Sequence, residues 1–357
     1  MLEPHALQFL RELLATPGPS SFELAAARRW RVEAEAVTHA VRADVAGNSF
    51  ATLAGTGGPG LMLAGHIDEI GLILTHVDEK GYLSFEGIGG WDPQVFVGQR
   101  VVLLGRHGHV PGVVGRKAIH LVPREERDKM SKVEELWIDI GAASREEALA
   151  QVRVGDAGVL AAGTLDFPNG RLVSRSLDNR IGAFVVLETL RRLKAAGPLA
   201  ASVTAVATTR EEIAWSGGGA RSSAAGLAPV AAVVVDVTHA TDYPGIDARR
   251  HGDIPLGGGP VLARGAAVSG VVFDLLVEVA EAERIPYRIA AASRDTHTDA
   301  EAIFNAHHGV ATGLVSVPLR YMHSPNELVA LDDIDRTVAL LAAFCRRVRP
   351  DADFVAR

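Results

Sequence analysis

Residues 61–69 read LMLAGHIDE, an apolar run that passes directly into a histidine and two acids. A short continuous apolar run of this kind is typical of a strand buried within a sheet. Further runs of the same character lie at 202–208, 231–237 and 311–317. Helical patterns separate these runs, and the alternation predicts an α/β layer fold with a largely parallel sheet.

Periodicity predicts several other elements. Apolar residues recur at helical spacing in 5–15, 23–33, 182–196 and 273–284. Between residues 41 and 53, apolar and polar residues alternate about a central Gly-Asn pair, which is the pattern of a β-hairpin. We therefore expect helices and a hairpin before the first buried strand, and helices between the later strands.

The character of the sequence changes between about residues 71 and 165, where short β-rich runs are broken by glycine, proline and charged residues. We interpret 71–165 as a small β-domain inserted into an α/β domain that comprises 1–70 and 166–357. The length of 357 residues fits two domains better than one.

Charge and composition exclude several classes of partner. The formal net charge is −7 and the pI is near 6.0, which argues against nucleic acid and anionic membranes, since both reward a basic surface. No run reaches the roughly 18 apolar residues of a membrane span, and the N-terminus lacks the basic start of a signal peptide. The single cysteine, Cys345, cannot form an internal disulfide. We expect a cytoplasmic protein.

Acids and histidines collect in five short segments, each of which follows a predicted strand or opens a predicted helix. They are GHIDE at 65–69, SLDNR at 176–180, REE at 210–212, VDVTH at 235–239 and RYMHSP at 320–325. Ligands bind beyond the carboxyl ends of the strands in open α/β sheets. Five converging ends would supply two histidines and three or four carboxylates, a ligand set for two divalent ions about 3.5–4 Å apart. Imidazole mixed with carboxylate suits zinc or cobalt.

Each segment has a simpler explanation when it is taken alone. A His-x-Asp sequence is commonly a hydrogen-bonded pair, Glu-Glu before a helix compensates the helix dipole, and Asp-Asn-Arg at a helix start is commonly an N-cap. Asp236 is a stronger candidate, because a charge at the end of a buried strand is costly unless it is paired or liganded. The order and the strand-end placement of all five segments favour the metal site.

An ordered set of motifs resembles the tetrahedral (TET-type) glutamyl and deblocking aminopeptidases, a family of co-catalytic dinuclear metallopeptidases, some of which are labelled endoglucanases. The resemblance covers nearly the whole chain. Its marks are GHIDEIGLI at 65–73, GGWDPQVFVGQRV at 89–101, SLDNRIGAFVVLETL at 176–190, REEI at 210–213, DVTHATDYPG at 236–245, GGGP at 257–260, THTDAEAI at 296–303 and RYMHSPNE at 320–327. It implies a three-layer α/β/α phosphorylase/hydrolase-like domain with a mixed sheet, interrupted by a small β-barrel-like domain.

The resemblance also implies site residues. The implied ligands are His66, Asp178 and Asp236 for one ion and Asp178, Glu212 and His323 for the other, with Asp178 bridging the two. Glu211 is implied as the general base, and Asp68 as the carboxylate that holds the His66 ring. Two positions along an extended chain place Asp68 on the same side as His66, and histidine ligands normally donate their second N–H to such a group.

The implied activity is removal of N-terminal residues from peptides through a water that lies between two divalent ions, zinc or cobalt. The resemblance implies a homo-oligomer, from a dimer to a dodecamer, with the insert at the contacts. His120 in the insert either reaches a neighbouring active site or is an ordinary surface residue. The family also suggests a cis peptide bond after Asp178.

Substrate-binding candidates are less specific. They are His297, Thr298, Asp299, Arg320 and Tyr321, with Tyr321 a candidate for stabilising an oxyanion. The alternative for 298–299 is a capped helix start. A basic cluster at 249–251 either binds acidic side chains and C-terminal carboxylates or is a solvated loop.

The chain departs from the family pattern at 214–219, where AWSGGG replaces the usual Gly-x-Arg-Gly. This change concerns the shape of the pocket more than metal binding. Two alternatives stay open from the sequence: a two-metal deacylase or carboxypeptidase, and a non-catalytic metal-binding assembly protein. Glu211 argues against the second, because a pure binding site needs no free base. A glucanase would need two carboxylates that flank a sugar without metal.

Overall fold

The computed structural model describes residues 2–213 and 217–356. The α-helices are α1 (Pro4–Ala15), α2 (Leu24–Glu35), α3 (Pro93–Phe96), α4 (Arg145–Gln151), α5 (Leu177–Ala195), α6 (Gly218–Leu227), α7 (Ala248–His251), α8 (Gly270–Ala282), α9 (Asp299–Phe304) and α10 (Leu331–Arg347). Short 3₁₀ turns lie at Ile119–Leu121, Arg124–Glu126 and Val133–Glu135.

The strands are β1 (Val41–Ala43), β2 (Ser49–Leu53), β3 (Gly60–His66), β4 (Gly71–Val77), β5 (Leu83–Ile88), β6 (Arg100–Gly105), β7 (Gly108–Arg116), β8 (Leu136–Asp139), β9 (Ala157–Leu160), β10 (Leu165–Phe167), β11 (Arg171–Ser174), β12 (Ser202–Thr208), β13 (Ala231–His239), β14 (Val261–Gly265), β15 (Arg288–Ala292), β16 (Ala311–Arg320) and β17 (Glu327–Ala330). The predicted hairpin at 41–53 is confirmed, because β1 and β2 pair antiparallel. The predicted helix at 182–196 begins earlier, at Leu177.

The larger sheet has the order β1-β2-β12-β3-β13-β16-β17-β11-β10, with β14 and β15 paired off β16. Its four central strands, β12, β3, β13 and β16, are mutually parallel, as the apolar runs predicted. The flanking strands β2 and β17 run antiparallel to their neighbours, so the sheet is mixed rather than largely parallel. Four carboxyl ends therefore lie side by side at one edge.

Helices cover both faces of this sheet. Alternate residues of β3 point in opposite directions: Leu61 and Leu63 pack in a core with α1, α2, α5, α8 and α10, whereas Met62 and Ala64 pack with α6 and α9. The result is the expected three-layer α/β/α arrangement. No helix in the described part of the chain is long and apolar enough to cross a membrane.

The strands β4, β5, β8, β7, β6 and β9 close into a six-stranded barrel, which confirms the expected barrel-like unit. The barrel has its own core, in which residues such as Phe85, Phe96, Leu103 and Ile138 are almost inaccessible to solvent. Because this core is separate from the hydrophobic clusters of the sheet, the barrel packs as a distinct unit.

Two glycines bring the start of α5 against the central strands. A Cβ on Gly65, near the end of β3, would overlap the backbone of Gly182 in α5. A Cβ on Gly182 would in turn lie 2.5 Å from the carbonyl oxygen of Val235 in β13. Asn179 also joins the elements, since its side chain donates to the Val235 carbonyl at 2.8 Å and accepts from the Gly182 N–H at 2.8 Å. The first turn of α5 is thereby held at the strand ends.

Replacing Gly65 with alanine should destabilise the protein by roughly 1–3 kcal/mol, because the added methyl group meets backbone that has no room to yield. Urea unfolding followed by circular dichroism measures the change. Gly60→Ala is the matched control in the same strand, since a Cβ at Gly60 meets no atom within 4 Å. Equal stability of the two variants would contradict the tight contact.

Candidate metal centre

The parallel strands place four of the five predicted segments at one edge of the sheet. His66 is the last residue of β3 and pairs in register with Thr208, the last residue of β12. Glu211 and Glu212 lie three and four residues after the end of β12, and Asp236 lies near the end of β13. His323 comes three residues after β16 ends. The convergence follows from strand order, because the strands that carry these residues are neighbours.

Asp178 occupies the middle of the cluster. Its Oδ1 lies 3.3 Å from Nε2 of His66, and its Oδ2 lies 3.4 Å from Nε2 of His323. One carboxylate therefore faces two imidazoles with different oxygens. Glu212 completes the His323 side, with its Oε2 3.4 Å from the same Nε2.

Glu211 and Asp236 complete the His66 side. From Nε2 of His66, Glu211 Oε2 lies at 3.7 Å and Asp236 Oδ1 at 3.9 Å. Ligand atoms of His66, Asp178 and Glu212 lie within 4.8 Å of one another, and so do those of His66, Glu211 and Asp236. Each trio could hold an ion. All of these side chains open into one cavity of about 950 Å³.

Several carboxyl groups of the cluster are buried close together, so ionising all of them is unfavourable. Burial raises the pKa of Glu211 and of Asp236 well above their ordinary values, and neighbouring carboxylates add to the effect while His66 opposes it. Burial opposes the charged form of His323, but hydrogen bonds with Asp178 and Glu212 outweigh it and raise the pKa of His323 to about 11. These carboxyl pKa values and the histidine pKa are all raised, so the surroundings of the site favour positive charge.

The donor set fits divalent metal ions. Nitrogen and carboxylate oxygen are the ligands that zinc takes in catalytic sites. The Oε1 atom of Glu212 is buried and has no hydrogen-bond partner in the described part of the chain, although buried polar atoms are nearly always satisfied. A coordinated cation would satisfy it.

The side chain of Asp68 contacts both the His66 ring and the backbone of the two glutamates. Its Oδ1 lies 3.4 Å from Nδ1 of His66, and its main-chain carbonyl oxygen lies 3.3 Å from the same nitrogen. It also accepts hydrogen bonds from the hydroxyl of Ser20 at 2.6 Å and from the N–H groups of Glu211 and Glu212 at 3.2 and 3.3 Å. The carboxylate thus anchors the segment that carries both glutamates, a role that the sequence does not reveal.

Glu327 is a buried residue of the site that the sequence reasoning missed. Its Oε2 accepts from the N–H of Asp178 at 3.1 Å, and its Oε1 accepts from the N–H of His323 at 3.0 Å. One carboxylate therefore fixes the backbone of two residues that lie far apart in the sequence. The sequence did contain a signal for this residue. Glu327 is a charged residue at the start of the apolar strand β17, within the motif at 320–327.

A buried ion-pair network behind the site was also missed. Glu69 pairs with Arg175 and with Arg180, whose guanidinium lies 3.2 Å from Glu69 Oε1. Arg180 is fully buried and donates to the carbonyl oxygens of Leu13 and Thr16 as well. The network ties α1 to the first turn of α5, so the Arg of the SLDNR motif is structural.

The predicted substrate-binding residues divide into two groups. His297 and Thr298 line the cavity; His297 is exposed and pairs with Asp295, and Thr298 caps α9 in a capping box. Among the described residues, the cavity lining does not include the other three. Asp299 is buried against the hydroxyl of Thr208, and burial raises its pKa to about 6.

Arg320 and Tyr321 are the remaining two. Arg320 pairs with Asp242 at 2.7 Å, and Tyr321 packs edge-on against Tyr243 with ring centroids 5.6 Å apart. Both have partners outside the cavity.

Three further sequence predictions can be placed. The peptide bond between Asp178 and Asn179 is cis, as the resemblance implies. The basic cluster at 249–251 lies in the short exposed helix α7, and His120 is exposed in a 3₁₀ turn after β7. Residues 214–216 of the departing segment lie outside the described residues.

The barrel also reaches the site. Gly89 and Gly90 follow β5, and a Cβ on Gly90 would lie 3.3 Å from Nδ1 of His323. A Cβ on Gly89 would lie 3.5 Å from Cβ of Glu212. The barrel therefore forms one wall of the centre.

A profile of the M42 glutamyl aminopeptidase family matches residues 47–340 of the chain. The chain belongs to the M42 glutamyl aminopeptidase family. It is a metal-dependent aminopeptidase, an enzyme that cleaves peptides, as the motifs predicted.

This M42 aminopeptidase has relatives that match over almost their whole length. It is 33% identical over 349 residues to the lysyl aminopeptidase of Pyrococcus furiosus, covering 96% of this chain and 97% of the relative. The structure resembles a TET aminopeptidase from a Thaumarchaeota archaeon of marine sediment, with a TM-score of 0.91, 32% identity and 96% of each chain covered. It also resembles the TET1 peptidase of Pyrococcus horikoshii, which can assemble into a tetrahedron or a large octahedral shell (TM-score 0.85, 28% identity, 96% and 99% covered).

Replacing Glu327 with glutamine should lower stability by about 1–3 kcal/mol, because the amide can accept from only one of the two N–H groups and turns a donor toward the other. The same change should weaken the binding of zinc, since both N–H groups belong to Asp178 and His323. Thermal unfolding and competition with a chelator measure the two effects. Glu86→Gln, on the exposed face of the barrel strand β5, is the control and should change neither.

Proposed function

We propose that this M42 aminopeptidase binds two divalent ions, zinc or cobalt, and uses Glu211 to move the proton during hydrolysis of the first peptide bond. One observation carries the proposal: the two oxygens of Asp178 face two different histidines. A carboxylate placed in this way can bridge two cations. The remaining carboxylates divide between the two sides, as a paired site requires.

Two sets of ligands are proposed. His66, Asp178 and Asp236 would hold one ion, and Asp178, Glu212 and His323 would hold the other. When bound, such ions polarise a carbonyl oxygen and lower the pKa of water toward 7. The distances from the histidine Nε2 atoms to the carboxylate oxygens of these two sets, 3.3–3.9 Å, support this arrangement.

Glu211 is the proposed general base. It lies beside His66 and next to Glu212 in sequence, but it is not needed in either proposed ligand set. Its position at the cavity lets it take a proton from the attacking water and deliver that proton to the departing amine nitrogen as the C–N bond breaks. Burial keeps the pKa of Glu211 well above its ordinary value, and the neighbouring His66 opposes that shift.

Asp68 and Glu327 are proposed as positioning residues. Asp68 orients the His66 ring and holds the N–H groups of Glu211 and Glu212. Glu327 holds the N–H groups of Asp178 and His323. These contacts fix the groups that must meet the substrate's free α-amine and scissile carbonyl.

The roles of the adjacent glutamates can be separated by measuring ion content and turnover together. The zinc-loaded Glu211→Gln variant should keep its ions while turnover of aminoacyl-anilides falls about 10²–10⁴-fold, the usual contribution of a general base. Glu212→Gln should lose ions as well as activity, because the Glu212 carboxylate is a proposed ligand.

Wild-type enzyme in excess chelator is the reference for ion loss, and it should recover when zinc or cobalt is added. Metal analysis by mass spectrometry and a spectrophotometric assay provide the readouts. Loss of ions from Glu211→Gln would mean that the two glutamates are assigned in reverse, and full activity in chelator would contradict the two-ion centre.

We also propose that the enzyme is a homo-oligomer, between a dimer and a dodecamer, with the inserted domain at 71–165 in the contacts. The barrel is distinct from the sheet and carries exposed apolar residues, including Ile119, Leu121 and Met130. The assemblies formed by the similar TET1 peptidase support the same conclusion. Light scattering should give a mass that is a multiple of 37.7 kDa, and a monomeric mass at micromolar concentration would contradict the proposal.

A further inference from the structure

The chain just before α2 packs behind the metal centre. The hydroxyl of Ser20 donates to Oδ2 of Asp68 at 2.6 Å, and the N–H of Ser20 donates to the carbonyl oxygen of Glu69 at 3.1 Å. Glu23 ends this stretch and immediately precedes the first residue of α2. Residues 18–23 therefore lie against the segment that follows β3 and carries the site.

The side chain of Glu23 does not serve the helix that it precedes. A residue in this position commonly accepts a hydrogen bond from an N–H of the first helical turn, but Glu23 forms no such bond with the described residues of α2. It is only 4% exposed. Its Oε1 instead accepts from the N–H of Ser21 at 2.9 Å and from the N–H of Arg210 at 3.1 Å. One buried oxygen thus joins the start of α2 to the segment that follows β12.

Both of these N–H groups belong to residues with left-handed backbone. The φ angle is +74° at Ser21 and +61° at Arg210, a region that is unfavourable for residues other than glycine. Such a conformation persists where the surrounding structure holds it. Arg210 immediately precedes Glu211, so its backbone angles set the direction in which the chain carries that carboxylate. The hydrogen bond from Arg210 to Glu23 therefore constrains the position of Glu211.

The whole segment 209–212 is held in the same manner. Its four consecutive N–H groups donate to side chains: the first to Asn48 at 3.1 Å, the second to Glu23 at 3.1 Å, and the last two to Asp68 at 3.2 and 3.3 Å. Asn48 is also bonded to the start of α6, and Asp68 also contacts the ring of a proposed ligand. Glu23 is therefore the most selective position at which to loosen this segment.

We infer that Glu23 positions the general base, an inference that rests on the proposed role of Glu211. By accepting the N–H of Arg210, it keeps the Glu211 carboxylate at the cavity. Glu23 acts through the reach of its side chain rather than through its charge, because a single oxygen must meet two N–H groups at once. It is a positioning residue, since it acts on the substrate only through Glu211.

Two conservative replacements separate reach from charge. Glu23→Gln keeps the length of the side chain and an oxygen that can accept both N–H groups, so kcat should stay within about threefold of wild type. Glu23→Asp keeps the charge but is shorter by a methylene group. Its kcat should fall roughly 10- to 100-fold with KM little changed, the effect of displacing a base by about an ångström. Turnover of aminoacyl-anilides by the zinc-loaded enzyme gives both constants, and metal analysis should show equal ion content in the two variants.

Glu33→Asp is the matched control, because it makes the same chemical change near the other end of α2. Glu33 is 5% exposed and pairs with Arg29 and Arg191. The control should lower the temperature of thermal unfolding while kcat stays within about twofold of wild type, because its partners are structural.

A readout of the backbone keeps the test independent of turnover. Hydrogen exchange followed by mass spectrometry should show faster deuterium uptake at 209–212 in Glu23→Asp, and uptake at the wild-type rate in Glu23→Gln and Glu33→Asp. In the Glu211→Gln background, Glu23→Asp should cause no further fall in kcat, because the group that it positions is already removed.

Three results would overturn the inference while leaving the proposed function intact. In the first, Glu23→Gln is as slow as Glu23→Asp, so that charge rather than reach decides. In the second, Glu23→Asp slows turnover equally with and without Glu211→Gln. In the third, Glu23→Asp loses ions in proportion to its lost turnover, so that Glu23 supports the ligand Glu212. Full turnover of Glu211→Gln by itself is a different result, because it would overturn the proposed function and this inference with it.

Discussion

The structure depends on holding four carboxylates and two imidazoles together in a buried pocket. Carboxylates resist this arrangement, because burial removes their solvation and because like charges repel at short distance. The raised pKa values of Glu211 and Asp236 reflect this cost of burying neighbouring negative charges. Only a rigid surrounding structure can keep the groups in place, and cations are the natural partners that make the arrangement favourable.

The rigidity comes from backbone contacts at the strand ends. Gly65 and Gly182 lack side chains, so the first turn of α5 lies directly on β3 and β13. Asp178 is thereby carried to a position between His66 and His323. The same principle operates in the hydrogen bonds that Asp68 and Glu327 accept, because each ties together backbone from two separate segments. The ligands are held through main chain as much as through side chains.

The barrel is a separate packing unit that also contacts this centre. It has its own core and so packs as a separate unit, yet its Gly89-Gly90 turn lies against His323 and Glu212. Contacts made by the barrel can therefore affect the site through this wall. An enzyme built in this way places its proposed assembly unit and its chemistry in direct physical contact.

The sequence alone determined the class of fold and predicted which groups gather at the centre. Continuous apolar runs that end in acids or histidines identify parallel strands and the edge at which a ligand binds, because strand direction decides where the carboxyl ends meet. His66, Asp178, Glu211, Glu212, Asp236 and His323 were all named on that basis together with the family motifs, and the structure brings them into one cluster.

Tertiary structure alone decided which other groups support or line the site. Glu327, Glu69 and Arg180 act through partners that lie far away in the sequence, so neither periodicity nor spacing could reveal them. Asp299, by contrast, resembles a substrate-binding acid in the sequence but is buried against Thr208. The physical reason is that a local pattern specifies an element and one of its faces, whereas a contact between distant side chains exists only after the elements have packed.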